Sequence, residues 1–159
     1  MAVHKLLVDD FEDSNYSLLA VHCEMEDYRL AYYLNKYLET RLARTKEDLD
    51  FITSLASFSV FKWSNKQLQT DWHLIKNSCL VEKIAVSQGL FSEINDKSWV
   101  IHSLLPEHHS VDYILKINNG GGFINEKQIL DKIQKIPKVS TAYSVDISQL
   151  KSKDHLIFN

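Results

Sequence analysis

Cysteine is scarce in this chain: of 159 residues only Cys23 and Cys79 carry a thiol, far apart and in no metal-knot spacing. Two such residues build neither a disulfide framework nor a zinc ribbon, and in a reducing compartment they behave as small buried hydrophobes. Long apolar runs are missing as well. None approaches the roughly 20 residues that cross a bilayer as a helix, and Asp9 and Asp10 end the run Leu6 to Val8 far too early for a secretory core. We therefore expect a cytoplasmic protein without a membrane partner. Positive charge is not in excess: 18 Lys and Arg against 21 Asp and Glu leave a formal charge of −3, which gives nucleic acid no bulk attraction. The G-x-S-x-G elbow, the H-E-x-x-H helix and both glycine-rich phosphate patterns are absent too.

What is present is an ordinary globular composition, 45% hydrophobic and 25% charged. That suits one core and one domain spanning residues 1–159. YSLLAVHC at 16–23 is rich in strand formers and pairs with HKLLV at 4–8 across the polar EDSN turn. A helix is expected from Glu26 to about Arg44, because Leu30, Leu34, Tyr37, Leu38 and Leu42 recur at three- and four-residue steps with no Gly or Pro between. Glu26 and Asp27 suit its positive end, and Arg41 and Arg44 its negative end.

SFSVFKWS at 57–64 and LQTDWHLIKN at 68–77 read as a hairpin around Asn65, Lys66 and Gln67, with Leu68, Trp72 and Leu74 on one face and Asp71 and His73 on the other. CLVEKIAVS and SWVIHSLL look like strands joined by the polar tip GLFSEINDK. VDYILKI at 111–117 alternates Val111, Tyr113, Leu115 and Ile117 against Asp112, Ile114 and Lys116. Asn125 caps a helix over 126–135 that Pro137 stops, and a strand, VSTAYSVDI, then a short helical turn or extended tail complete the chain. The expected class is α+β: a mainly antiparallel sheet with two principal helices packed on one face. An elaborated ferredoxin-like core is one concrete version.

Four features invite a chemical reading. Glu107, His108, His109 and Asp112 crowd together, yet on an extended segment adjacent imidazoles point apart, so no metal and no catalytic residue is assigned. Gly120, Gly121, Gly122 and Asn125 make a turn at a helix N-terminus. Weak anion binding is its functional reading, and glycine's tolerance of positive φ its commoner one. Asp9, Asp10, Glu12 and Asp13 form an acidic turn, more simply a solvated loop than a cation site. Tyr28, Tyr32 and Tyr33 lie on adjoining faces of the first helix, where some serve the core and others are available to a partner.

The stretch Leu105 to Tyr113, LPEHHSVDY, resembles the signature of the bacterial IPExxxVDY family of uncharacterised proteins, departing from it only in Leu105, where isoleucine stands in the signature. The resemblance singles out Pro106, Glu107, Val111, Asp112 and Tyr113 and implies no reaction, cofactor or partner. Those five residues read as the lead-in to a strand: Pro106 ahead of the paired part, Glu107 accepting from backbone N–H groups, and Val111 and Tyr113 on one face. Asp112, facing away from them, is expected to meet a basic neighbour or water, with a place in a site as the third reading.

These observations favour a non-enzymatic interaction or homodimerising module that meets a protein partner or a second copy of itself, with no cofactor. The alternative is a small-molecule or anion-binding sensor, and a metal-dependent hydrolase ranks third.

Overall fold

Residues Leu18 to Val21 are all buried, which no strand with one wet face could be. In the computed structural model, which describes residues 16–84 and 97–158, they form the middle of β1 (Tyr16–Cys23), inside a six-stranded sheet. The strand expected at 4–8, the acidic turn and most of the GLFSEINDK tip lie outside the described residues.

After β1 come α1 (Asp27–Leu38), the two-residue β2 (Ala43–Arg44), β3 (Leu49–Phe51), β4 (Ala56–Phe58), β5 (Val60–Asn65) and β6 (Thr70–Lys76). Then follow β7 (Ser78–Ile84), β8 (Lys97–Ser103), β9 (Tyr113–Asn118), α2 (Glu126–Gln134) and β10 (Val139–Ser144). The main sheet runs β10-β1-β9-β6-β5-β2, with every neighbouring pair antiparallel. The path β1-α1-β6-β9-α2-β10 and the order β10-β1-β9-β6 are those of a ferredoxin-like core. β5 and β2 widen it at one edge, and the β3–β4 and β7–β8 hairpins are insertions. The chain is thus an α+β protein.

Both faces of the sheet are covered. Toward the helices, Leu19, Val21, Leu74, Leu115 and Ile117 meet Leu30, Leu34, Ile133 and Ile136. Toward the other side, Leu18, Ala20, Ile75 and Ile114 meet Phe58, Val81, Leu104, Leu105, Val111, Leu150 and Leu156. Two short 3-10 turns, Ile147–Gln149 and Lys153–Leu156, carry the C-terminal part of this second cover. Alternation along β5 places Phe61 and Trp63 on the helical side and Val60 on the other.

Three local expectations need correction. The first helix ends at Leu38, six residues before Arg44, because Glu39 turns left-handed at φ 57° and the side chain of Asn35 folds the chain back. Asn35 Oδ1 accepts from the Leu42 amide at 2.7 Å and from the Thr40 hydroxyl at 2.8 Å, and its Nδ2 donates to the Leu42 carbonyl at 3.0 Å. Leu42 is therefore buried by a chain reversal and not by helical periodicity, and Arg44 belongs to β2. Leu68 sits in the β5–β6 turn, exposed, where Asn65 Oδ1 accepts from the Gln67 amide at 3.0 Å and the Leu68 amide at 3.2 Å. Val111 packs with the cluster opposite Tyr113, because the strand starts only at Tyr113 and strict alternation does not extend back to 111.

Candidate functional site

Pro106, Glu107 and His108 form one turn of 3-10 helix, not the extended lead-in that the sequence suggested. Proline at the first helical position loses no hydrogen bond, and its ring presets φ for the turn. His108 is half-buried and His109 exposed. Among the described residues no group of three or more His, Cys, Asp or Glu side chains is placed to hold a metal ion.

Each polar side chain of the LPEHHSVDY stretch that the resemblance singles out binds main chain far away in sequence. Glu107 Oε1 accepts from the amides of Lys151 at 2.7 Å and Ser152 at 2.8 Å, while Oε2 accepts from the Ser152 hydroxyl at 2.8 Å. Burial works against its charge, but the donors from its own backbone, Ser152 and Lys151 outweigh that and hold the carboxyl down to about 2. Asp112 Oδ2 accepts from the Cys23 amide at 2.9 Å, and the Tyr113 hydroxyl donates to the Met25 carbonyl. Both therefore clamp the link between β1 and α1. Asp112 meets backbone there, where a basic neighbour or water was expected. Burial, then the neighbouring Cys23 and acids, push the Tyr113 phenol up, so it stays a donor.

The sequence reading missed the residue that organises this region. Asn77 is buried, and its side chain satisfies three main-chain groups: Nδ2 donates to the carbonyls of His108 and Val111, both at 2.8 Å, and Oδ1 accepts from the Leu105 amide at 3.0 Å. Its own amide donates to the Asp112 carbonyl at 2.9 Å, and its carbonyl accepts from the Leu104 amide at 2.7 Å. Lying between β6 and β7, it fastens the 104–112 loop to the sheet. A lone asparagine after an alternating strand gives no sequence signal for such a role.

A cleft of about 400 Å³ adjoins Asp112 and Tyr113, with Glu24, Glu26 and Lys76 on its rim. Both motif side chains in it are committed to main chain, and burial, the largest influence on the Cys23 thiol, pushes it up, so the cysteine is no ready nucleophile.

The glycine turn has Gly120 at φ 59° and Gly121 at φ 86°, conformations that explain why glycine stands there. Asn125 is the helix cap, accepting from the Gln128 amide at 3.2 Å. Glu126, the first residue of α2, accepts from the hydroxyls of Ser17 and Ser144, each at 2.7 Å, so a carboxylate already stands at this helix N-terminus. The tyrosines of α1 divide: Tyr28 and Tyr32, each 62% exposed, face outward, whereas Tyr33 packs against the helical core.

Two further features escaped the sequence reading because only strand register creates them. One is an apolar face on the β7–β8 hairpin, where Leu80 lies opposite Ile101 and Trp99 opposite Glu82. The other is a row of bases, with Lys62 opposite His73 and His73 opposite Lys116.

Fold and geometry together define an α+β protein with a ferredoxin-like strand order, whose most chemical-looking sequence stretch is used as internal fastening. Compared with known proteins, the chain matches no family model, no curated protein and no solved structure. No helix among the described residues is long and apolar enough to cross a membrane.

Proposed function

We propose that this chain is a non-enzymatic interaction module that pairs with a second copy of itself through the β7–β8 hairpin. The observation that carries the reading is the outward face of that hairpin, where Leu80, Trp99 and Ile101 are 64%, 62% and 68% exposed. Leu80 and Ile101 are directly opposite, and Trp99 follows two residues along, so the three form one stripe. The reverse face is spent on the core through Val81.

A two-stranded ribbon is marginal by itself, and an unpaired edge bearing large apolar side chains is a template for another strand. Among the described residues β8 pairs with β7 alone. Antiparallel pairing of two β8 strands about Val100 sets Trp99 against Ile101 of the second copy at both ends and opposes Lys97 to Ser103, so no like charges meet. Each such cross-strand apolar pair is worth about 0.2–1 kcal/mol, in addition to the main-chain hydrogen bonds of the new ladder and before the cost of association. The shape of the stripe thus supports homodimerisation. A cytoplasmic setting accords with the free thiols of Cys23 and Cys79. Membership of the IPExxxVDY family is likewise proposed, on the LPEHHSVDY stretch, and brings no activity with it.

Sedimentation velocity over a broad concentration range tests the reading. Dimer is expected in the wild type and monomer in Trp99→Asp and Ile101→Lys, both folded. A wild-type chain that stays monomeric throughout, or a dimer indifferent to both substitutions, overturns it.

A further inference from the structure

The sheet face turned away from the helices carries three bases side by side, Lys62 on β5, His73 on β6 and Lys116 on β9. The two lysines flank His73 and disfavour a proton on it after burial has already done so, so their adjacency needs an account. Lys116 has one. Its Nζ donates to the Leu156 carbonyl at 2.6 Å and lies 4.5 Å and 4.9 Å from the ring centroids of Tyr16 and Phe158. Lys62 makes no hydrogen bond or ion pair with any described residue, and His73 Nδ1 is shielded from solvent without a hydrogen-bond partner among them. A buried polar atom left without a partner costs free energy.

Lys62 and His73 border a cleft of about 520 Å³ between the 45–49 segment and the C-terminal residues 157–158. One side is apolar, with Leu49, Val60 and Phe158, the last with its ring 5.0 Å from that of His73. Lys46 adds a second ammonium, also without a partner among the described residues. The two acids on the same wall are Glu47 and Asp48, and Asp48 is paired with Arg44. With Glu47 uncompensated, the wall suits one anionic headgroup better than a string of them. The size is that of a small-molecule site.

We propose that this cleft binds a small organic oxyanion, a carboxylate or phosphate monoester on an apolar body, with the headgroup held by Lys62, Lys46 and the His73 imidazole and the body lying against Leu49, Val60 and Phe158. Lysine serves such headgroups as a point charge, and the imidazole adds a directed hydrogen bond. His73 is held down to about 4, first by burial and then by Lys62 and Lys116 against the opposing pull of Asp71, so at neutral pH it offers one donor and one acceptor. An anion beside Lys62 also offsets the positive potential that Lys62 and Lys116 set up on either side of His73.

Calorimetric titration of the full chain with phenyl phosphate, benzoate, inorganic phosphate and benzyl alcohol tests this, with the His73 ring resonances followed by NMR. Phenyl phosphate or benzoate is expected to bind and to move those resonances, and which of the two binds more tightly identifies the headgroup. Inorganic phosphate and benzyl alcohol should each bind at least about tenfold more weakly than the better of them. Lys62→Glu, at an exposed position, should lower affinity by about tenfold or more, while Lys36→Glu on α1 should leave it unchanged. The proposal is overturned by no binding of either aromatic anion, by equal binding of inorganic phosphate, which marks an adventitious ion only, or by a Lys62→Glu chain that binds as the wild type does.

Discussion

Glu107 and Ser152, 45 positions apart in the chain, are joined at both carboxylate oxygens: Oε1 takes the Ser152 amide at 2.8 Å and Oε2 its hydroxyl at 2.8 Å. Through this contact the 3-10 turn at 106–108 holds the C-terminal cover onto the sheet.

Glu107→Gln should therefore loosen the 145–158 segment. A hydrogen bond to a charged group is worth roughly 1.5–3 kcal/mol, and the largely exposed setting of this one reduces the expected loss to about 1 kcal/mol. Because the folded carboxyl is held at about 2, below its ordinary value, its stabilisation is fully present above about pH 4.5 and fades as pH falls toward 2. Denaturant titrations between pH 2 and 7 should show the wild-type advantage over Glu107→Gln closing across that interval. A difference independent of pH contradicts the assignment.

Asn77→Ala should be far more damaging. It strips partners from the Leu105 amide and from the carbonyls of His108 and Val111 in a buried place. A loss of about 3 kcal/mol or more in urea unfolding is expected, with faster amide exchange across 104–112. A change under about 1 kcal/mol would mean that the loop is held by other means.

Tyr113→Phe keeps the buried ring and removes only the donor to the Met25 carbonyl. About 1–2 kcal/mol should be lost. Asp112→Asn retains an acceptor for the Cys23 amide and should cost less. The reverse ranking, measured by thermal unfolding at neutral pH, would relocate the main fastening of the β1–α1 link to Asp112.

His73 provides an opposite case to a stabilising base. Its folded value of about 4 lies below the ordinary 6.5, with burial first, then Lys62 and Lys116, disfavouring the proton and Asp71 favouring it. The unfolded chain thus takes up the proton first, and stability should be complete above about pH 6.5 and decline as pH falls toward 4. His73→Gln should flatten this part of the profile, and an unchanged slope counts against the assigned environment.

Much of the architecture could be read from residue order. The alternation in YILKIN, the Asn125 cap and the stop at Pro137 each act within a few residues, so local chemistry revealed β9, α2 and β10. The end of α1 was hidden because it depends on Asn35 reaching seven residues ahead to Leu42, a contact that periodicity does not encode. Val111 was misplaced for a related reason: the 3-10 turn at Pro106 resets the phase before the strand begins. The row Lys62, His73 and Lys116 was beyond reach, since each residue is unremarkable in its own strand and only the pairing of β5, β6 and β9 brings them together.

The place of β1 also bears on how the chain can assemble. Its two neighbours, β9 and β10, are both made long after it. During synthesis the apolar LLAV segment therefore waits for both of these neighbours until residues 113–144 have left the ribosome, and closure of the sheet centre is a late, long-loop event. A nascent chain truncated before residue 113 lacks both flanking strands and should be a client for chaperones, however sound the isolated helix α1 is.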